Sequence, residues 1–160
     1  MERVCFETRN CSVAKTMDVI GDWWSVLIVL EAMQGTRRFD EFHRNLDISK
    51  GILSKRLKAL QKHGVLVRVA SDDSPRRIEY HLTPKGASLR TVLAALMQWG
   101  DEFMNTEAGP PMVLYNAKNG AEVTKLDFFD TGGSKVDPAD LRLKPGPGAD
   151  KEMVARFVEG

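Results

Sequence analysis

Apolar residues recur at helical spacing through the first two thirds of the chain. Val13, Met17 and Ile20, at steps of four and three, predict a short helix over Ser12–Ile20. Gly21-Asp22 interrupts it, and Asp22 is placed to cap a second helix, Trp23–Met33. That segment is apolar nearly all round, through Trp23, Trp24, Val26, Leu27, Ile28, Val29 and Leu30, and is predicted to be the central buried helix. Gly35 ends it. A short extended piece, Arg37–Phe39, leads to a helix over Asp40–Leu46. Ser49 then opens a longer helix to His63, with Ile52, Leu53, Leu57 and Leu60 as its stripe and Gly64 at the C-terminal cap position.

From Val65 the period changes to two. Val65–Ser71 and Arg76–Leu82 read as strands of a hairpin joined by Asp72-Asp73-Ser74-Pro75. Thr83-Pro84 is a helix start, a capping hydroxyl before a proline, and one helix is expected to run on to about Met104. Its wide apolar face is Leu89, Val92, Leu93, Leu96, Met97, Trp99 and Phe103. Gly109-Pro110-Pro111 reads as a linker. Beyond it, Met112–Ala117 and Ala121–Phe129 are expected as strands around the turn Asn119-Gly120, and Asp150–Val158 as a last helix. The predicted fold class is mainly α with a β-wing, a winged helix-turn-helix over residues 1–108. A small β-rich C-terminal extension, a hairpin plus a short helix, is predicted over 109–160.

Composition narrows the function. The chain has 160 residues, 42% of them hydrophobic and 28% charged, as in ordinary globular proteins. No apolar run reaches the roughly 18 residues of a membrane span, and the polar start does not read as a signal peptide. Two cysteines, Cys5 and Cys11, make no disulfide framework, so a cytoplasmic location with reduced thiols is expected. Net charge is only +1, which by itself argues against a nucleic-acid partner. Its distribution argues the other way: Gly35 to Arg90 holds thirteen basic and six acidic residues, a local +7, against ten and sixteen elsewhere, or −6.

Two short helices with a tight link, the second followed by a hairpin, make a winged helix-turn-helix. The second helix offers Ser49, Lys50, Gly51, Ser54, Lys55 and Lys58 toward a major groove, with Lys62 further along. The wing brings Arg68, Arg76 and Arg77, and Arg37 and Arg38 precede the first helix of the pair, where phosphate contact is expected. Any one of these cations could equally be part of a solvated face; their joint placement favours the interface.

The chain resembles the HxlR-type regulators, a branch of the MarR-like winged-helix transcription factors. The resemblance rests on the stretches 11–21 (CSVAKTMDVIG), 24–28 (WSVLI), 35–42 (GTRRFDEF), 48–57 (ISKGILSKRL), 60–66 (LQKHGVL) and 75–83 (PRRIEYHLT). They cover about residues 11–104 in family order. The chain departs from the family at Trp23, where a basic residue usually precedes the shared tryptophan. The resemblance implies a homodimer on an inverted-repeat DNA operator, usually as a repressor and sometimes as an activator. The dimer seam is expected from the N-terminal segment and the Thr83–Met104 helix, whose apolar face is larger than one small winged-helix core requires; the alternative is that this helix only closes its own domain.

Cys11 stands just before a helix N-terminus with Lys15 one turn on, a setting that favours thiolate. Regulators of the resembling family use a cysteine here to sense disulfide stress, quinones or reactive aldehydes. Cys5 is then a candidate resolving thiol. A small residue packed under the helix is the structural alternative for Cys11, and a response to a small-molecule effector without Cys11 stays open. His43, His63 and His81 lack metal-ligand spacing, so no metal or cofactor is expected, and no catalytic constellation is legible. Trp23, Trp24 and Trp99 read as core or dimer packing rather than a ligand cage. The reading from a different class is a protein-interaction domain whose winged helix does not read DNA.

Overall fold

The computed structural model describes residues 6, 8–104 and 107–158. The chain divides into two units, the first running to Leu93 and the second from Ala94.

The first unit opens with α1 (Ser12–Ile20) and α2 (Trp23–Met33). Asp22 caps α2 as its position suggested: its carboxylate accepts from the Ser25 N–H at 3.0 Å and the Ser25 hydroxyl at 2.6 Å. The helix is not buried all round. Ser25, Ile28, Val29 and Ala32 form its inner face, while Trp23 is 73% exposed. Periodicity cannot orient a helix that is apolar on every side; packing against α4 and β2 does so here.

α3 (Phe39–Leu46) starts one residue earlier than its apolar pattern suggests. The Glu41 carboxylate accepts from the Arg37 and Arg38 N–H groups, closing donors the first turn leaves open. Asp47, in the left-handed region at φ 48°, turns the chain into α4 (Lys50–Lys62). Ser49 caps α4, and Gly64, at φ +67°, reverses the chain after it.

The wing is an antiparallel pair, β1 (Leu66–Ser71) and β2 (Ser74–Leu82), in register from Leu66 opposite Leu82 to Ala70 opposite Ile78. The register shifts at Ala70/Ser71, and the turn is tighter than the sequence suggests. Arg38 bridges to Glu79, and the Tyr80 N–H donates to the Arg37 carbonyl at 2.8 Å, tying the wing's base to the entry of α3. The core is Ile28, Val29, Ala32, Phe42, Ile48, Leu53, Leu57, Leu60, Val65, Leu66 and Leu93. Each large member contributes about 1.5–3 kcal/mol by leaving water. Phe42 meets Tyr80 edge to face at 6.4 Å.

The single helix expected from Pro84 is broken into α5 (Pro84–Ser88) and α6 (Arg90–Phe103). The break has a local cause: the Leu89 N–H bonds the Gly86 carbonyl, an i→i−3 step, while the Ser88 hydroxyl donates to the Lys85 carbonyl.

Most of α6 belongs to the second unit. The long strands expected after the linker are not formed: Tyr115 and Glu122 make one isolated bridge, although the Asn116–Ala121 turn closes as expected. Regular pairing is confined to β3 (Phe128–Phe129) with β4 (Lys135–Val136), followed by a 3₁₀ turn (Pro138–Asp140) and α7 (Lys151–Val158). Asp150 caps α7 through the Met153 N–H. No helix among the described residues is long and apolar enough to cross a membrane.

Candidate nucleic-acid interface

The helix pair α3–α4 is held by three kinds of contact. Phe42 of α3 and Leu53 and Leu57 of α4 belong to the same buried core. The His43 ring Nδ1 lies 2.6 Å from the Ile48 carbonyl across the turn. Behind α3, the Glu31 carboxylate of α2 accepts from Asn45 Nδ2 at 2.9 Å and from the Thr36 hydroxyl at 2.7 Å. The orientation of α4 is therefore set before any partner arrives.

With Leu53, Leu57 and Leu60 turned inward, α4 leaves Ser49, Lys50, Gly51, Lys55, Lys58 and Lys62 exposed and Ser54 half-buried. One residue on this helix differs from its sequence reading, and another has a role that the sequence reading did not assign. Ile52, expected in the apolar stripe, is 41% exposed beside Gly51. Arg56 turns inward: its Nε lies 3.0 Å from Asp22 Oδ1, an ion pair rather than an aligned hydrogen bond. This pair joins α4 to the cap of α2.

Arg68, Arg76 and Arg77 are all exposed on the wing. Arg68 pairs across from Tyr80, whereas Arg77 lies two residues from Glu79, so the ribbon presents a cation on each face. Asp72 and Asp73 occupy the tip. At the base, His81 Nε2 is 2.8 Å from the Glu79 carboxylate. The buried Ser71 and His81 both hydrogen-bond Glu79, and together they hold its carboxyl below the usual value of 4.5. Arg37 is half-buried and donates from Nη1 to the Ala32 and Thr36 carbonyls, which commits part of its fork to the end of α2. Arg38 lies 3.6 Å from Asp40, with 40% of its side chain exposed.

This order of elements, with an exposed cationic second helix and a basic wing, matches the model of the HxlR-like helix-turn-helix over residues 19–108. The chain belongs to the HxlR-like helix-turn-helix family. It is 36% identical over 137 residues to the uncharacterised HTH-type transcriptional regulator Rv3095 of Mycobacterium tuberculosis (strain ATCC 25618 / H37Rv), covering 86% of this chain and 87% of that one. Among solved structures, PA1607, a candidate transcription factor, superposes with a TM-score of 0.81 at 36% identity, over 89% of this chain and all of its own. The reduced form of the redox regulator HypR gives 0.53 at 30% identity, over 57% of this chain and 92% of its own. This HxlR-like chain is a transcriptional regulator with a DNA-binding winged helix-turn-helix. The coverage differs between relatives: PA1607 matches nearly the whole of this chain and HypR little more than half of it.

Cys11 is the N-cap residue of α1, partly exposed and not in a disulfide. Cys5 lies outside the described residues. Among the described residues no three His, Cys, Asp or Glu side chains gather as a metal site. Trp24 packs on the core, whereas Trp23 and Trp99 are exposed.

Proposed function

We propose that this regulator binds an inverted-repeat operator as a homodimer and represses transcription, inserting α4 into the major groove. The observation that carries the reading is the exposed row Lys50, Gly51, Lys55 and Lys58 on a helix whose opposite face is locked into the core. Gly51 permits close backbone approach, Ser49 and Ser54 supply hydroxyls to base edges, and the exposed Ile52 suits a thymine methyl. Arg68, Arg76 and Arg77 meet phosphates from the flanks of the wing, since Asp72 and Asp73 disfavour its tip. Arg38 and the unspent part of the Arg37 fork add phosphate contacts at the entry of α3.

A second copy supplies the cover for apolar side chains that each unit leaves in water. On α6 these are Leu96, Trp99 and Phe103, the last two 5.5 Å apart; on α1 they are Val13 and Met17.

Fragments selected from the protein's own genome, followed by anisotropy titrations across salt, test the reading. Half-sites spaced roughly 10–10.5 base pairs apart or a multiple are expected. Affinity should fall about 10³–10⁵-fold between about 50 and 200 mM salt if each subunit neutralises three to five phosphates. Weak binding with a flat salt dependence would place the function in protein interaction instead.

Cys11 is the proposed sensor of oxidants or electrophiles, with Cys5 as its candidate partner thiol. The reading is supported by the partly exposed N-cap position and by likeness to a redox regulator. Replacing Cys11 with Ser should abolish oxidant-driven operator release; release at the wild-type rate would leave Cys11 a packing residue.

A further inference from the structure

The second unit carries a half-open cleft of about 510 Å³, within the range of small-molecule sites. One wall is α6, through Met97, Gln98, Asp101 and Glu102; the other is the irregular loop on either side of the Tyr115–Glu122 bridge. The loop is held to the helix by the Leu126 N–H, which donates to Gln98 Oε1 at 3.0 Å. That bond settles the orientation of the carboxamide. Its Nε2 is buried in the wall and has no hydrogen-bond partner among the described residues.

The lining has a definite chemistry. Met97, Met112, Leu114 and Val123 make an apolar floor, and the two thioethers can adapt to an irregular shape. Three carboxylates, Asp101, Glu102 and Glu122, stand at the cavity against one ammonium, Lys125. The acidic excess extends to the whole unit, with eleven carboxylates and seven cations from Ala94 to Gly160. An anion would enter against this field, and a small inorganic cation would leave the apolar floor unused.

We propose that this cavity is a binding site for an apolar organic cation, held by Asp101, Glu102 and Glu122 over the floor of Met97, Met112, Leu114 and Val123. Its loop wall, from Pro110 to Lys125, lies beyond residues 19–108 that the family model matches. It needs no DNA, and its test does not depend on operator binding.

The probes are tetraphenylphosphonium and tetraphenylborate, ions of nearly the same shape and opposite charge, titrated calorimetrically into the full-length protein. The phosphonium should bind at least roughly tenfold more tightly than the borate. Glu122→Gln should weaken the phosphonium severalfold and narrow its lead over the borate. Val123→Trp, at an exposed position of the lining, should fill the cavity and abolish binding of both, with the thermal transition retained. Equal binding of the two ions overturns the proposal, as does absence of phosphonium binding to the wild type. Binding indifferent to both substitutions, in variants that melt like the wild type, overturns it as well.

Discussion

Gly86 stands where α5 crosses the start of the wing. A Cβ added there would lie 2.1 Å from the Val65 carbonyl oxygen and 2.9 Å from Leu82 Cδ2. The backbone carbonyl cannot swing aside like a flexible side chain, so Gly86→Ala should cost about 1–3 kcal/mol in denaturant unfolding. The wing base carries a charged counterpart to this packing constraint. Because the folded state lowers the Glu79 pKa from 4.5, Glu79 contributes stability above that pH and loses it as pH falls through the lower folded value. Acid titration of Tm should therefore show a steeper acid limb in the wild type than in Glu79→Gln, with the curves converging at the acid end. Parallel curves would show that the clasp of Ser71, Glu79 and His81 adds nothing. Neither feature could be read from residue type alone, since a glycine and a glutamate in or near a strand are ordinary until their neighbours are known.

At the scale of elements, α4 shows how far a helical pattern informs and where it stops. The positions of Leu53, Leu57 and Leu60 already imply an inner face, and the lysines between them an outer one. The pattern could not separate Arg56 from Lys55, because an inward arginine needs a particular carboxylate, and Asp22 lies on another helix. The two should part experimentally. Lys55→Ala is expected to weaken operator binding and reduce the salt slope by about one contact's worth. Arg56→Ala should lower Tm while leaving the salt slope unchanged, since it removes a strut between α2 and α4 rather than a phosphate contact. The breaks in prediction elsewhere have the same character. The helix after Thr83 was continuous in its apolar spacing, yet Ser88 and Leu89 divert its hydrogen bonds at one point. Past Gly109, strand-like residues pair only as the single Tyr115–Glu122 bridge and the two-residue ladder of β3 with β4.

For the whole molecule, the near-neutral +1 hides a basic segment of +7 and an acidic remainder. Long-range attraction to DNA falls off within about a Debye length, roughly 8 Å at physiological salt, so the local charge governs the encounter. The exposed Trp99 and Phe103 of α6 are where the proposed homodimer can be tested. Trp99→Glu should shift sedimentation toward the monomer and reduce operator affinity, because a monomer engages only one half-site. A variant that remains dimeric would move the seam away from Trp99.

The amino-acid sequence by itself determined the order of helices, the caps at Asp22, Ser49 and Thr83, the wing hairpin and the segment that is basic. These depend on spacing, turn chemistry and local charge, which act between near neighbours. Tertiary structure alone decided that Trp23 faces water, that Ile52 joins the lysines and that Arg56 leaves them. It also decided that the loop after Gly109 stands against the acidic end of α6 across a cleft. Each of these depends on which distant residue arrives alongside, and contacts across more than one element are not encoded in any local period.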